Sequence, residues 1–287
     1  MLNGVMLLWF LLAAASVVFV AIDIRRTPES PVLRWGFVLL TAYTGPVGAL
    51  LYVLGCREPL PGLHERYTAA RWRQVLGSTM HCVAGDGVGI LAGAALAAML
   101  ALPRWSDLAL EYALGFGFGW TVFQAMFMRD MAGGSYQRSL TGTFVPEFLS
   151  MNFLMSGMVP IEALGRRLLG RAPSPAIPEF WFVMSMALLV GFVAAYPMNW
   201  WLVSNGLKHG MMTVYTDEES SRQNNGARHH HRPETADRAA QYLGHAAKSQ
   251  ASHQLRRPTQ GRIAAMAAVS VAAFALAIGV AALIGRE

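Results

Sequence analysis

Apolar stretches close to 20 residues long recur along this chain, separated by short polar loops that collect the arginines. About 20 apolar residues at 1.5 Å rise per residue cross a hydrocarbon core of roughly 30 Å, and a soluble fold has no reason to repeat that length. The pattern predicts seven spans, at about 5–24, 33–55, 78–102, 108–128, 144–165, 179–205 and 263–284. The expected fold class is all-α integral membrane, with a six-helix core and a C-terminal seventh transmembrane helix. Thr44-Gly45-Pro46 interrupts the second span; proline removes a backbone donor, so a kink is expected there. No Lys or Arg precedes the first run, which passes directly into Asp23-Ile24-Arg25-Arg26. It reads as a retained anchor and not as a cleaved leader.

The pattern fails between the sixth and seventh spans. Residues 213–262 are dominated by Asp, Glu, Ser, Gln, Asn, Arg and His. Such a segment buries too little apolar surface to offset its ordering entropy, so a disordered tether is expected, with a short helix near Ala236–Ala247. The organisation is then 1–77, two N-terminal helices and a basic loop; 78–212, a four-helix membrane domain; 213–262, the polar linker; and 263–287, a C-terminal anchor.

Composition sharpens this picture. The chain has 287 residues, 54% of them hydrophobic and 14% charged, where soluble domains carry about a quarter charged residues. The net charge of +6 lies in the gaps between apolar runs. That placement suits anionic lipid headgroups and not the continuous basic surface a nucleic acid needs. The lipid bilayer is therefore the expected partner, and a homo-oligomeric or membrane-protein partner stays open. Lys and Arg placement favours a cytoplasmic N-terminus, mainly through the long tail. Two cysteines, Cys56 and Cys82, exclude a disulfide framework but leave one bridge open.

Helices alternate in direction, so the start of span three, end of span four, start of span five and end of span six share one side. Span three opens Ser78-Thr79-Met80-His81-Cys82, and Asp86 lies on the Cys82 face one turn later. Gly85, Gly89 and Gly93 repeat every four residues, which lets another helix approach closely. Span four carries Glu111 and ends with Gln124, Met128 and Met131 on one face. Span five sets Glu147, Met151, Met155 and Met158 in one stripe, and span six leads to His209, Met211 and Met212. An intramembrane carboxylate is costly and reads as functional unless neighbours satisfy it.

Imidazole, thiolate and thioether together select Cu(I). His81, Cys82, Met128, Met131, Met151 and His209 are therefore the candidate metal ligands, and Asp86, Glu111 and Glu147 the candidate proton or charge-compensating groups. The plainer reading of each methionine is core filling, because Met adapts to irregular gaps. His229-His230-His231, His245 and His253 could capture a divalent metal or belong to a featureless linker. The chain has no phosphate-binding Gly-rich loop, no Ser-His-Asp pattern and no Cys-x-x-Cys pair.

His81-Cys82-x-x-Gly85, Pro197-x-Asn199-x-Trp201-Leu202 and Gly206-x-x-His209 resemble domain-of-unknown-function family 4396, a group of bacterial polytopic membrane proteins, over about residues 78–212. The resemblance implies that His81, Cys82 and His209 are matched positions. Asp86 and Ile90 depart from the Cys and Glu that many members carry there, and the family brings no assigned activity. Three functions follow as expectations. The first is a membrane protein that binds or transports a soft transition metal, Cu(I) foremost, or a coupled ion. The others are a non-catalytic structural or accessory module, and a haem- or quinone-binding redox protein using His81 and His209. No catalytic residue is assigned. The first reading requires His81, Cys82, Asp86, Glu147, Met151 and His209 to converge on one polar pocket.

Overall fold

The computed structural model describes residues 2–27, 29, 31–57, 64–127, 135–170, 174–208 and 258–285, which are all-helical in their regular structure. Helix α1 spans Leu2–Asp23, α2 Pro31–Thr44, α3 Pro46–Gly55, α4 His64–Thr68 and α5 Arg71–Met99. Helix α6 spans Arg104–Phe118 and runs through a π-helical segment, Gly119–Gln124, into α7, Ala125–Phe127. Then follow α8 (Tyr136–Leu169), α9 (Pro178–Ser204) and α10 (Gln260–Ile284). The linker of residues 213–257, with its histidines, lies outside the described residues, as do Met128, Met131, His209, Met211 and Met212.

Among the described residues, five helices are long and apolar enough to cross a membrane: α1, α5, α8, α9 and α10. The other two expected spans are broken helices, and each break has a local cause. Between α2 and α3, Gly45 adopts φ +57°, a conformation that costs a residue with a Cβ, and Pro46 withholds its donor. The Thr41 and Thr44 hydroxyls turn back on the Phe37 and Leu40 carbonyls, both at 2.7 Å. Helix α6 carries Arg104, Asp107 and Glu111 before its π segment, and these charges lower its apolar character.

The α5 helix starts at Arg71, seven residues ahead of the span read from hydropathy. Its first turn is polar but ordered. The Arg73 guanidinium lies 3.5 Å from the Tyr67 ring centroid and 4.5 Å from that of Trp72. Cys82 and Asp86 consequently sit near the middle of a 29-residue helix, deeper than a span beginning at 78 would place them.

Helices α5 and α8 are the most buried of the long helices, and α1 and α10 the least. The glycine stripe of α5 packs on α6 as its spacing implies. Gly85 faces the Phe123 ring, Gly89 the backbone of Leu114 and Gly115, and Gly93 the backbone of Glu111. A second close approach joins Gly157 of α8 to Gly191 of α9. Helix α10 docks on α8, where Asn152 Nδ2 donates to Ser270 Oγ at 3.1 Å. At its other end Arg104 Nη2 donates to the Ala281 carbonyl at 2.7 Å, a cation on the negative end of a helix.

A Cβ at Gly89 would overlap the Leu114 carbonyl, whereas one at Gly117 meets nothing within 4 Å. Gly89→Ala is therefore expected to lose about 1–3 kcal/mol of stability through overpacking. Gly117→Ala should cost nothing. Thermal unfolding of the two variants in the same detergent checks the difference.

Candidate functional site

Helix α5 supplies His81, Cys82 and Asp86, all buried. Cys82 and Asp86 are four residues apart, so both project towards α8 and the π segment. Helix α8 contributes Glu147, fully buried, one residue after Pro146. Lys208, just beyond α9, folds back so that its side chain is only 4% exposed.

The Lys208 ammonium organises the cluster. Its Nζ donates to Cys82 Sγ at 2.7 Å, Glu147 Oε2 at 3.0 Å and Asn199 Oδ1 at 3.3 Å. An ammonium has three protons, and all three are used. Cys82 also receives Gln124 Nε2 at 2.9 Å and donates its thiol proton to Glu147 Oε2 at 3.5 Å. Asn199 is fixed in turn, with Nδ2 donating to Ser150 Oγ at 2.9 Å and to the Ala195 carbonyl at 3.1 Å. Burial alone would pull the Lys208 ammonium towards neutrality, but the Cys82 sulfur and the Glu147 carboxylate beside it hold its pKa above the ordinary lysine value.

Asp86 occupies the far side of Glu147. It is 0% exposed, and neither of its oxygens finds a donor among the described residues. Glu147 Oε1 is in the same position, and the two carboxyl groups lie close to one another beside Gly119. Two carboxylates in contact repel unless a proton lies between them. One proton turns that contact into an O–H···O bond and satisfies Glu147 Oε1 at the same time. Gly119 makes room for the arrangement, because a Cβ there would overlap Asp86 Oδ1 and sit 3.1 Å from Glu147 Oε1. The π segment beginning at that glycine also carries Gln124 to the sulfur. Insertions of this kind frequently mark functional positions.

His81 is 3% exposed, with its ring edge-on to Phe123 at 5.5 Å, within electrostatic reach of Glu147 and Lys208. Met151 lies one turn beyond Glu147 in the apolar core, its methyl facing Gly115. Both cysteines are buried free thiols, so the one bridge they could have formed is not made. The structure thus brings His81, Cys82, Asp86 and Glu147 together, sets Met151 beneath them, and leaves Met128, Met131 and His209 outside the described residues.

Glu111 belongs to a different cluster, towards the opposite end of the bundle. It contacts Asp107, one turn earlier on α6, and Glu162 of α8. Arg166 Nη2 reaches Asp107 Oδ2 at 2.5 Å. A cavity of about 280 Å³ adjoins the group, lined by Asp107, Glu111, Glu162, Arg166, Phe180 and Met184 among others. Three carboxyls share this arginine, and Glu111 Oε2 and Glu162 Oε1 find no donor among the described residues. Glu147 and Glu162 lie fifteen residues apart on α8, about 22 Å at 1.5 Å per residue. Met151, Met155 and Met158 fill the same face between them, each 0% exposed.

Sequence reasoning missed Lys208, Asp107, Glu162 and Arg166. Lys208 and Arg166 read as loop charges, since nothing in their spacing shows that they turn inward. Glu162 had a usable signal, because 147, 151, 155, 158 and 162 continue one helical stripe.

Residues 71–208 match the profile of the domain-of-unknown-function family DUF4396. The matched segment starts at the first residue of α5 and ends on Lys208, so it encloses every residue of both clusters. No curated protein and no solved structure matches the chain.

Removing one partner of a buried ion pair leaves the other uncompensated, at a cost of about 3–5 kcal/mol. Lys208→Met is expected to destabilise the protein by that order, and Glu147→Gln added to it should restore much of the loss. Thermal melts of the single and double variants measure the coupling.

Proposed function

We propose that this chain is an integral membrane protein, crossing the bilayer seven times with its N-terminus in the cytoplasm, that passes a cation between two buried carboxylate stations. The ion carried or coupled is a proton. One observation carries the reading: a single face of α8 presents Glu147, Met151, Met155, Met158 and Glu162, with a carboxyl cluster at each end and thioethers between. Outward-facing Leu and Val side chains on α1 and α10 support membrane integration, and the broken α2–α3 and α6–α7 helices supply the two further crossings.

The chemistry follows from charge balance. At the first station Lys208 neutralises Glu147, so Asp86 holds or releases the proton that joins the two carboxyls. At the second, Arg166 pairs with Asp107 and Arg104 lies within electrostatic reach of Glu162, and Glu111 and Glu162 exchange protons beside the cavity. A buried carboxyl flanked by a fixed cation suits a proton relay. The methionines separate the stations with apolar, rotatable side chains that repack without breaking hydrogen bonds.

The same thioether stripe favours a second reading, transfer of Cu(I), for which methionine sulfur is a matched ligand. Lys208 places its ammonium between Cys82 and Glu147, where a metal bound at the first station would sit. Protons therefore come first.

Purified protein in liposomes containing a pH-sensitive dye separates these readings. An imposed pH gradient should drive proton entry, and Glu147→Gln and Glu162→Gln should each remove most of it while Met155→Leu leaves it intact. Flux reported only by a Cu(I) probe, and lost in Met155→Leu, would establish the soft-metal reading instead. A wild type that passes neither ion would overturn both and leave a structural module.

A further inference from the structure

A third polar cluster lies outside the matched segment and is not used by either station. Glu29, from the linker between α1 and α2, Cys56, at the end of α3, and His64, the first residue of α4, are all buried to within 1% of full burial. Their ligand atoms lie within 4.8 Å of one another. His64 Nε2 is 3.4 Å from Glu29 Oε1, and Cys56 Sγ is 3.9 Å from the same oxygen.

The His64–Glu29 separation is long for a hydrogen bond, where N–H···O contacts fall at about 2.7–3.2 Å, and the Cys56 thiol reaches the same oxygen as a long sulfur hydrogen bond. The 3.4 Å nitrogen–oxygen separation matches a different geometry, and the 3.9 Å sulfur–oxygen separation lies a few tenths of an ångström beyond it. Zinc bonds of 2.0–2.3 Å at tetrahedral angles put neighbouring ligand atoms about 3.3–3.7 Å apart. Sulfur, imidazole nitrogen and carboxylate oxygen form the donor set of such a site, with a fourth place left to water. Arg34 lies within electrostatic reach of Cys56, and a divalent cation with one thiolate, one carboxylate and a neutral imidazole would itself make a neutral buried unit.

The cluster is also held from outside. Tyr67 donates to the Leu54 carbonyl at 2.8 Å, which ties α4 to α3. Gln74 Nε2 and Arg73 Nη1 donate to the Thr68 and Tyr67 carbonyls at 2.7 and 2.9 Å, which tie α4 to α5. His64 Nε2 additionally lies 3.1 Å from the Cys56 carbonyl, a contact that a bound metal would take over. We infer that Glu29, Cys56 and His64 form a divalent-metal site of the zinc class, which clips the N-terminal helices α1 to α3 to the start of α5.

Cobalt(II), a spectroscopically visible substitute for zinc, tests this on the purified full chain. One cobalt per chain should bind and give a thiolate-to-metal charge-transfer band that Cys56→Ser abolishes and Cys82→Ser retains. Glu29→Gln should weaken cobalt binding without removing the band. Metal-free Cys56→Ser should melt near the wild type, which shows that loss of the band is not loss of the fold. Absence of the band in the wild type, its survival in Cys56→Ser, or its loss in Cys82→Ser would overturn the assignment. A contact held only as a His64–Glu29 ion pair gives the first of these results. The outcome is independent of proton flux, so the cation-carrier reading stands or falls separately.

Discussion

A lysine ammonium held away from water constrains the rest of this structure more than any other contact. Removing an ammonium and a carboxylate from solvent costs several kcal/mol per ion even after relaxation, so each remaining valence must be met. Lys208 meets its three with Cys82, Glu147 and Asn199, and those partners come from three different helices. The segment after α9 must therefore fold back, Asn199 must be oriented by Ser150, and the π segment must deliver Gln124 to the sulfur. Asp86 is the residue left over. Glu147 lies beside it, with Lys208 and Cys82 also within electrostatic reach, and a proton shared by the two carboxyls would relieve their repulsion.

The second station differs in its charge balance. Lys208 and Glu147 balance each other and Asp86 adds one further carboxyl, whereas Asp107, Glu111 and Glu162 face Arg166, with Arg104 also within electrostatic reach of Glu162. The second adjoins a cavity of about 280 Å³. At the Lys208 station the ammonium is fully bonded, while both Asp86 oxygens and Glu147 Oε1 find no donor among the described residues. On the proposed reading, the cavity-side station is the one that exchanges protons with its surroundings. Glycine contacts along α5 and α6 keep the two in register, since Gly119 accommodates Asp86 and Gly93 lies against Glu111.

What the sequence revealed was local in character. The Gly85-Gly89-Gly93 spacing, the Thr44-Gly45-Pro46 break and the Glu147–Met158 stripe all lie within one helix, where periodicity translates directly into a face. Helix parity then placed the Asp86 and Glu147 ends together. The remainder depends on tertiary closure. Lys208 carries no periodic mark, the π segment arises without a proline, and Glu29, Cys56 and His64 come from three connections with no shared spacing. Glu111 could be recognised as an unusual carboxylate, but its partners Glu162 and Arg166 lie more than fifty residues away on a helix of opposite direction. The starting point of α5 was misplaced because hydropathy discounts Arg71 and Arg73, although their stems and ring contacts continue the helix.

The shared proton between Asp86 and Glu147 is the claim on which the functional reading rests, and infrared spectroscopy observes it directly. A protonated carboxylic acid has a carbonyl stretch that a carboxylate lacks. At neutral pH the wild type should show such a band from the buried pair, and Asp86→Asn should remove it while the Glu111–Glu162 signal persists. An unchanged carbonyl region in Asp86→Asn would mean that no proton joins the two carboxyls, and the first station would not exist as described.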